Sequence, residues 1–435
     1  MLFNAPIETL PLSKLRQLQN KRLRHQVAKV YEKVPFYRQK FDEIGLKPSD
    51  IKGVKDLHKL PFTKKSDLRD HYPFGLFAMP KEEIIRIHAS SGTTGKPTIV
   101  GYSRNDIAIF TEVVARSLAA AGGEKGMTLQ NAYGYGLFTG GLGLHYGAEK
   151  LGMTVVPVSG GMTDRQFLLM QDLQSDMICC TPSYAQTLAE ELGKRGISKD
   201  FLHLKYAVLG AEPWAETIRQ CVETGLGVSA TNIYGLSEII GPGVSQEDVE
   251  EKGTGSYVWE DHFFPEIVDK DTGEPLPEGE FGVLVFTTLT KEAMPLLRYW
   301  TNDITNIYYD HSEKRTHIKM GAIRGRSDDM LIIRGVNLFH TQIEDILKDI
   351  EALSANYQLI VSRTSAMDDV EVKVEIADTH KHLSEDGQQE VQGFFSKKIK
   401  ENIGLSMKIN ILKTGDIPRS EGGKLSRIVD LRKIK

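Results

Sequence analysis

Cysteine is scarce in this 435-residue chain, which has three, two of them adjacent at Cys179 and Cys180. That spacing makes neither a disulfide framework nor a zinc site, and predicts thiols packed in a core strand. No uninterrupted apolar run reaches membrane-spanning length. The opening Met1-Leu2-Phe3-Asn4-Ala5-Pro6 lacks the basic and apolar regions of a secretory leader, so a cytoplasmic protein with no membrane partner is expected. An excess of basic charge is missing too. A formal net charge of -4 argues against a dedicated nucleic-acid binder, whose domain is usually strongly basic. The length leaves room for about two to three domains and a large core.

The most informative stretch is His88 to Pro97, His-Ala-Ser-Ser-Gly-Thr-Thr-Gly-Lys-Pro, set between strand-like runs at 84–87 and 98–102. It reads as a phosphate loop. Gly92 and Gly95 permit the backbone to turn its N–H groups inward, the hydroxyls add donors, and Lys96 supplies charge. A triphosphate is the expected guest. It is not a Walker A loop, because Pro97 follows Lys96 and offers neither a metal-binding hydroxyl nor a helix continuation. A plain Ser/Thr/Gly turn is the alternative for the stretch taken alone.

Upstream, residues 12–33 place Leu12, Leu15, Leu18, Leu23, Val27 and Val30 at helical spacing. The helix is rich in Lys and Arg, ends before Val34-Pro35, and is expected to turn its basic face to solvent. Downstream, a helix from Arg104 is followed by strands at 128–133, 154–158, 176–181, 206–209 and 229–234. Helices at 141–151, 164–173, 183–195 and 213–224 separate them. Such alternation predicts a mostly parallel sheet covered on both faces, with the ligand site outside the carboxyl ends of its strands. The loops Gly210-Ala211-Glu212-Pro213 and Tyr234-Gly235-Leu236-Ser237-Glu238 follow two of those ends.

From Gly253 to about Arg324 the helical period gives way to two-residue alternation, an antiparallel region. Within it His262, beside Glu260 and Asp261, has no cysteine downstream to complete a mixed metal site, and reads as a hydrogen-bonded structural histidine. The polar Gly325-Arg326-Ser327-Asp328-Asp329 then precedes an independent α+β pattern. Its strands fall at 330–333, 357–363, 370–376 and 407–412 and its helices at 341–350 and 387–402. A basic tail carries Gly422-Gly423-Lys424.

Together these stretches resemble the adenylate-forming superfamily of acyl-CoA ligases, and within it the phenylacetate-CoA ligase family. The residues that carry the resemblance are Ser90 to Pro97, Tyr234 to Glu238, Arg298-Tyr299-Trp300-Thr301-Asn302-Asp303, Gly325 to Asp329 and Gly423-Lys424. Tyr72-Pro73-Phe74-Gly75, Gly134-Tyr135-Gly136-Leu137-Phe138 and Glu260-Asp261-His262-Phe263 narrow it to that branch. The resemblance spans essentially the whole chain. It implies an α/β fold: a large N-terminal domain with a mostly parallel sheet and a β-rich subdomain, and a small mobile α+β C-terminal domain. The expected divisions are a helical segment at 1–80, an adenylation domain at 81–327 and a C-terminal lid at 328–435.

The same resemblance implies an ATP-dependent ligase that activates an aromatic carboxylic acid as an acyl-adenylate and passes it to coenzyme A, with Mg2+ as cofactor. Ser91, Gly92, Thr93, Thr94, Gly95 and Lys96 would hold the β and γ phosphates, and Lys424 would bridge the α-phosphate and the attacking carboxylate. Glu238 would be the magnesium ligand. Asp303 would accept the ribose hydroxyls, with Arg326 beside it. Ala211, Glu212, Pro213, Asn232 and Tyr234 would wall the adenine, with Gly235 and Ser237 in the same loop. Asp328 matches the hinge, and Gly335 and Val336 would line the pantetheine tunnel. Tyr133, Phe138, Leu144, Ala211 and Ile233 would form an acyl pocket suited to an aryl ring.

At Asn302 the chain departs from the commoner superfamily pattern, Arg-Thr-Gly-Asp, which puts the backbone beside Asp303 in question. Two rival readings stay open on the sequence. One is an adenylating enzyme of the same branch with another acceptor, as in coenzyme F390 synthetases; the other is a nucleotide-binding scaffold without turnover. The resemblance is compatible with a homodimer and with a monomer.

Overall fold

The two runs flanking the expected phosphate loop are strands. β1 (Arg86–Ser90) and β2 (Thr98–Tyr102) pair antiparallel from Arg86↔Tyr102 to Ser90↔Thr98. This computed structural model describes residues 1–90, 97–310, 314–327, 331–333, 336–363, 368–419 and 427–433. The expected phosphate-loop residues Ser91, Gly92, Thr93, Thr94, Gly95 and Lys96, the hinge residue Asp328, Gly335 and Lys424 lie outside these, as does the side chain of Val336.

The chain divides into two compact units. One comprises Met1–Cys180, Asp200–Ala211 and Val228–Ile323; the other comprises Thr181–Lys199, Glu212–Gly227 and Arg324–Lys435.

In the first unit the alternating pattern becomes a sheet as read. β3 (Thr128–Asn131), β4 (Thr154–Val156), β5 (Met177–Cys180), β6 (Tyr206–Gly210) and the start of β7 (Ser229–Leu236) run parallel. β8 (Gly241–Glu247) and β9 (Ser256–Val258) continue it antiparallel. β10 (Phe263–Val268), β11 (Gly282–Thr288) and β12 (Tyr299–Thr305) pair antiparallel in a second sheet. β13 (Ile307–Tyr308) and β14 (Lys319–Met320) return to complete the nine-stranded first sheet, in the order β13-β14-β9-β8-β7-β6-β5-β3-β4. Cys179 and Cys180 are fully buried on β5, in agreement with their sequence reading.

The helix Leu12–Lys33 buries Leu15, Leu23, Val27 and Val30 and stops where extended Val34 precedes Pro35. Part of its basic face is not solvated. Arg16 pairs with Glu260 at 3.3 Å, Arg22 reaches Asp261, and Lys29 Nζ donates to Glu292 O at 3.0 Å. The acceptors come from residues far along the chain, which is why helical period alone assigned that face to water. A second long-range tie is fully buried. Arg315 Nε donates to Glu8 Oε2 at 2.8 Å and Nη2 to Met1 O at 2.7 Å, while Nη1 pairs with Asp248.

His262 is structural, as the sequence indicated. Its Nδ1 lies 2.7 Å from Thr290 Oγ1 and its Nε2 3.1 Å from Asp261 Oδ2, and the Arg116 fork holds Asp261 at 2.8 and 3.2 Å. Burial pushes the His262 imidazole down to about 3; Asp261 pulls the other way, and Arg116 and Arg22 add to the depression.

In the second unit the strand Leu353–Arg363 pairs antiparallel with Asp368–Ile376 and parallel with Ile428–Asp430; Lys408–Leu412 adds on the far edge. Ile343 and Leu347 of the helix His340–Leu347 and Phe395 and Ile399 of the helix Glu385–Ile403 share its core with Val361 and Val372. The helices Pro182–Lys194 and Glu216–Leu226 belong to this unit and pack so closely that a Cβ on Gly225 would lie 2.6 Å from that of Ala189. Arg419 ties the unit together: its guanidinium meets Glu375 at 2.6 and 2.9 Å and Glu190 at 2.9 Å. Glu190 also accepts from Asn356 at 2.8 Å. Among the described residues, no helix is long and apolar enough to cross a membrane.

Candidate functional site

β6 and β7 are neighbours with Gly210 in register with Ile233, so the segments leaving them share one edge of the sheet. The site residues of the first unit gather there. β7 and β8 form a hairpin whose turn spans residues 237–240. A Cβ on Gly235 would lie 1.8 Å from Gly241 O, so only glycine lets the two strands approach here. Ser237 Oγ is 3.0 Å from Thr139 Oγ1.

Glu238, second in the turn, is nearly buried, and Lys65 Nζ sits 3.3 Å from its Oε1. The carboxylate thus belongs to a tight hairpin turn and not to a helix start. The turn's carbonyls are held from behind: Tyr102 Oη donates to Ile240 O at 2.9 Å and Ser237 O at 3.3 Å, and Lys291 Nζ to Glu238 O at 2.8 Å. Burial pushes the Lys291 ammonium down to about 8, with Asp106 and Glu238 opposing that shift.

Tyr234 leaves β7 towards the second sheet. Its ring stacks on Phe286 of β11 with centroids 6.3 Å apart, and its hydroxyl donates to Asp303 Oδ2 at 2.6 Å. The Asp303 N–H donates to Thr301 Oγ1 at 3.0 Å, and Asn302 between them has φ of 70°. The left-handed backbone that glycine would supply is therefore present with asparagine, one of the few side chains that tolerate it. Ala211 also has positive φ, 75°, where the chain leaves β6. Asn232 is anchored through its backbone N–H to Glu247 Oε2 at 3.0 Å.

Tyr133, Leu144 and Ile233 lie in the main core, with Ala211 packed against it, while Phe138 is 38% exposed. His88, ahead of the phosphate loop, is buried with Nδ1 3.0 Å from Leu137 O, and burial lowers its pKa.

In the second unit, Glu212 Oε1 accepts from the Ser183 N–H at 2.7 Å, at the first turn of the helix Pro182–Lys194. Pro213 follows it, and Arg326 is half-buried. Lys65, Tyr102 and Lys291 were missed from the sequence. For Lys291 the sequence shows only a lysine beside a glutamate in an otherwise uncharged run from Val283 to Leu297, which does not say where the side chain turns.

Residues 10–290 match the family model described as AMP-binding enzyme, and residues 335–432 the AMP-binding enzyme C-terminal domain. A phenylacetate-coenzyme A ligase of Thermus thermophilus is 60% identical over 100% of both chains. One from Pseudomonas putida is 51% identical over 98% of this chain and 96% of its own. Among solved structures, 2-hydroxyisobutyryl-CoA ligase in the postadenylation state, in complex with R3-HIB-AMP, overlays with a TM-score of 0.91. It is 26% identical, covering 99% of this chain and 92% of its own.

Proposed function

The chain belongs to the AMP-binding enzyme family, in its phenylacetate-coenzyme A ligase branch, and from that membership we propose that it activates an aromatic, phenylacetate-like acid with ATP. A carboxylate oxygen attacks the α-phosphorus, pyrophosphate leaves, and an acyl-adenylate remains. The coenzyme A sulfur then attacks the acyl carbon, AMP leaves, and the thiol proton passes to solvent. The observation that carries this reading is the full-length 60% identity to a phenylacetate-coenzyme A ligase.

The roles given to the residues follow the family resemblance, and the Tyr234–Asp303 hydrogen bond supports one of them. Asp303, oriented by Tyr234, accepts the ribose hydroxyls, and the Tyr234 ring borders the adenine beside Ala211, Glu212 and Asn232. The loop Ser91 to Lys96 takes the β and γ phosphates, and Lys424 offsets charge at the α-phosphate, work that is mostly positioning and electrostatic stabilisation. Asp328 serves as the hinge between the half-reactions, and Gly335 and Val336 flank the pantetheine arm. Tyr133, Phe138, Leu144 and Ile233 surround the aryl group.

Glu238 suits magnesium. It is a hard oxygen donor, its carboxylate already faces one cation in Lys65, and a single protein carboxylate plus phosphate oxygens is a usual magnesium set. Among the described residues no cluster of three His, Cys, Asp or Glu forms a self-sufficient metal site, which agrees with a cation carried in on the nucleotide. When bound, the cation would neutralise charge developing on the phosphates. Three cysteines, all free, fit a reducing cytoplasm.

The test is pyrophosphate release with Mg-ATP across aryl, arylacetic and short aliphatic acids, with and without coenzyme A. A burst with an arylacetic acid that becomes steady turnover only with coenzyme A is expected; AMP release independent of coenzyme A would favour another acceptor. Lys424→Ala is expected to slow pyrophosphate release by about 10²-fold or more while sparing thioester formation from supplied acyl-adenylate. Equal loss in both steps would remove the role given to Lys424.

A further inference from the structure

The segment that carries Lys291 is clamped from several directions. From the helix Leu12–Lys33, Gln26 Nε2 donates to Lys291 O at 2.7 Å and Lys29 Nζ to Glu292 O at 3.0 Å. From the start of the helix Arg104–Ala120, Asp106 accepts the Glu292 and Ala293 N–H groups at 2.6 and 2.9 Å. Ser103 Oγ donates to the Glu292 carboxylate at 2.7 Å. The backbone of Lys291 is thereby fixed. Its side chain, with the residue only 2% exposed, runs inward until Nζ lies 5.1 Å from the centre of the Tyr102 ring and 2.8 Å from Glu238 O.

Burying an ammonium is costly, and an unbranched apolar side chain would fill the same space without that cost. Nor is the donor needed to close the turn, because the Ile239 and Ile240 N–H groups already bond to Leu236 O at 3.1 and 3.2 Å. What the two buried donors add is orientation. Lys291 holds the carbonyl of Glu238 itself, and Tyr102 holds those of Ser237 and Ile240. The peptide planes next to the Glu238 side chain are therefore set by donors distinct from its carboxylate's own partner, Lys65.

We propose that Lys291, seated on Tyr102, is a positioning residue that aims the Glu238 carboxylate at the divalent cation of the bound nucleotide. The inference rests on reading Glu238 as the ligand of that cation. Supports behind a metal ligand commonly change metal affinity by about 10- to 100-fold when removed.

The experiment uses the full chain with ATP, and Mn2+ as the probe, its affinity for the enzyme–ATP complex read from the electron paramagnetic resonance of free Mn2+. The Mg2+ activation constant for pyrophosphate release and thermal unfolding are measured alongside. Lys291→Met is expected to weaken Mn2+ binding about tenfold and raise the activation constant in parallel, with metal-free ATP affinity within about twofold of the parent. Lys291→Arg, which keeps a charged donor, should recover most of that loss.

Tyr102→Phe keeps the ring and removes only the hydroxyl, so it decides the matter should Lys291→Met not fold; it should weaken Mn2+ binding by about threefold. Parental Mn2+ affinity in a folded Lys291→Met, or in Tyr102→Phe where the lysine variant is unfolded, overturns the positioning role. Glu238→Gln separates the two levels. If it binds Mn2+ like the parent, the ligand reading itself falls; if it loses Mn2+ while Lys291→Met does not, only the positioning role does.

Discussion

Tyr234 Oη lies 2.6 Å from Asp303 Oδ2, a bond that joins β7 of the large sheet to β12 of the second one. The residue proposed to border the adenine therefore also aims the carboxylate proposed for the ribose. Tyr234→Phe keeps the ring on Phe286 and removes only this tie. ATP affinity measured by calorimetry is expected to fall about three- to tenfold, with kcat nearly unchanged. Asp303→Asn should cost more. Parental ATP affinity in Tyr234→Phe would break the link between the two residues.

Asn302 takes a φ of 70° immediately before Asp303. Glycine adopts that conformation freely, whereas a β-branched residue does not. Asn302→Gly is accordingly expected to leave stability within about 1 kcal/mol of the parent, and Asn302→Val to lose about 1–3 kcal/mol along with ATP affinity. Urea unfolding and nucleotide titration would check both; an Asn302→Val protein as stable as the parent would show that the backbone relaxes.

Arg419 distributes its fork between Glu375, which is wholly buried, and Glu190, which is not. Removing one partner of a buried ion pair leaves the other charge without compensation. Arg419→Ala is expected to destabilise the second unit by about 3–5 kcal/mol. Glu190→Ala, at the more exposed arm, should cost about 1 kcal/mol or less. Comparable losses in the two variants, read by urea unfolding, would contradict this ranking.

The His262 imidazole, depressed by burial from 6.5 to about 3, gives stability a pH dependence of known sign. The unfolded chain binds a proton at His262 from pH 6.5 downward while the folded chain stays neutral there. Its stabilising contribution is complete above pH 6.5 and is lost between about 6.5 and 3. The slope is at most about 1.4 kcal/mol per pH unit. Asp261 adds to the loss at still lower pH: burial would raise its carboxyl, but His262 and Arg116 hold it below the usual carboxylate range. Urea midpoints between pH 7 and 4 should fall less steeply in His262→Gln; an unchanged slope would exclude this origin.

Sequence period was enough to find the parallel strands of the first unit, because each buries its apolar residues on neighbours only one or two helices away along the chain. The loops after β6 and β7 were legible for the same reason: they follow strand ends. Three properties were not local enough to read. The acceptors for Arg16 and Arg22 stand at Glu260 and Asp261, more than 200 positions on. The helices Pro182–Lys194 and Glu216–Leu226 join the second unit through contacts such as Arg419 with Glu190, which no hydrophobic period records. Lys291 looked like any charged residue after a strand. Only the clamp on its backbone turns it towards Glu238.

The tie between Glu8 and Arg315 spans 307 positions of the chain. On a ribosome adding about 5–20 residues per second, Glu8 waits about 15–60 s before its partner exists. For most of that interval Arg16 and Arg22 of the Leu12–Lys33 helix also lack their acceptors Glu260 and Asp261, while the helix's apolar residues can already pack against residues 35–59. The amino-terminal segment is thus fastened late by charge, whereas its apolar packing is local and can form as soon as residues 35–59 emerge.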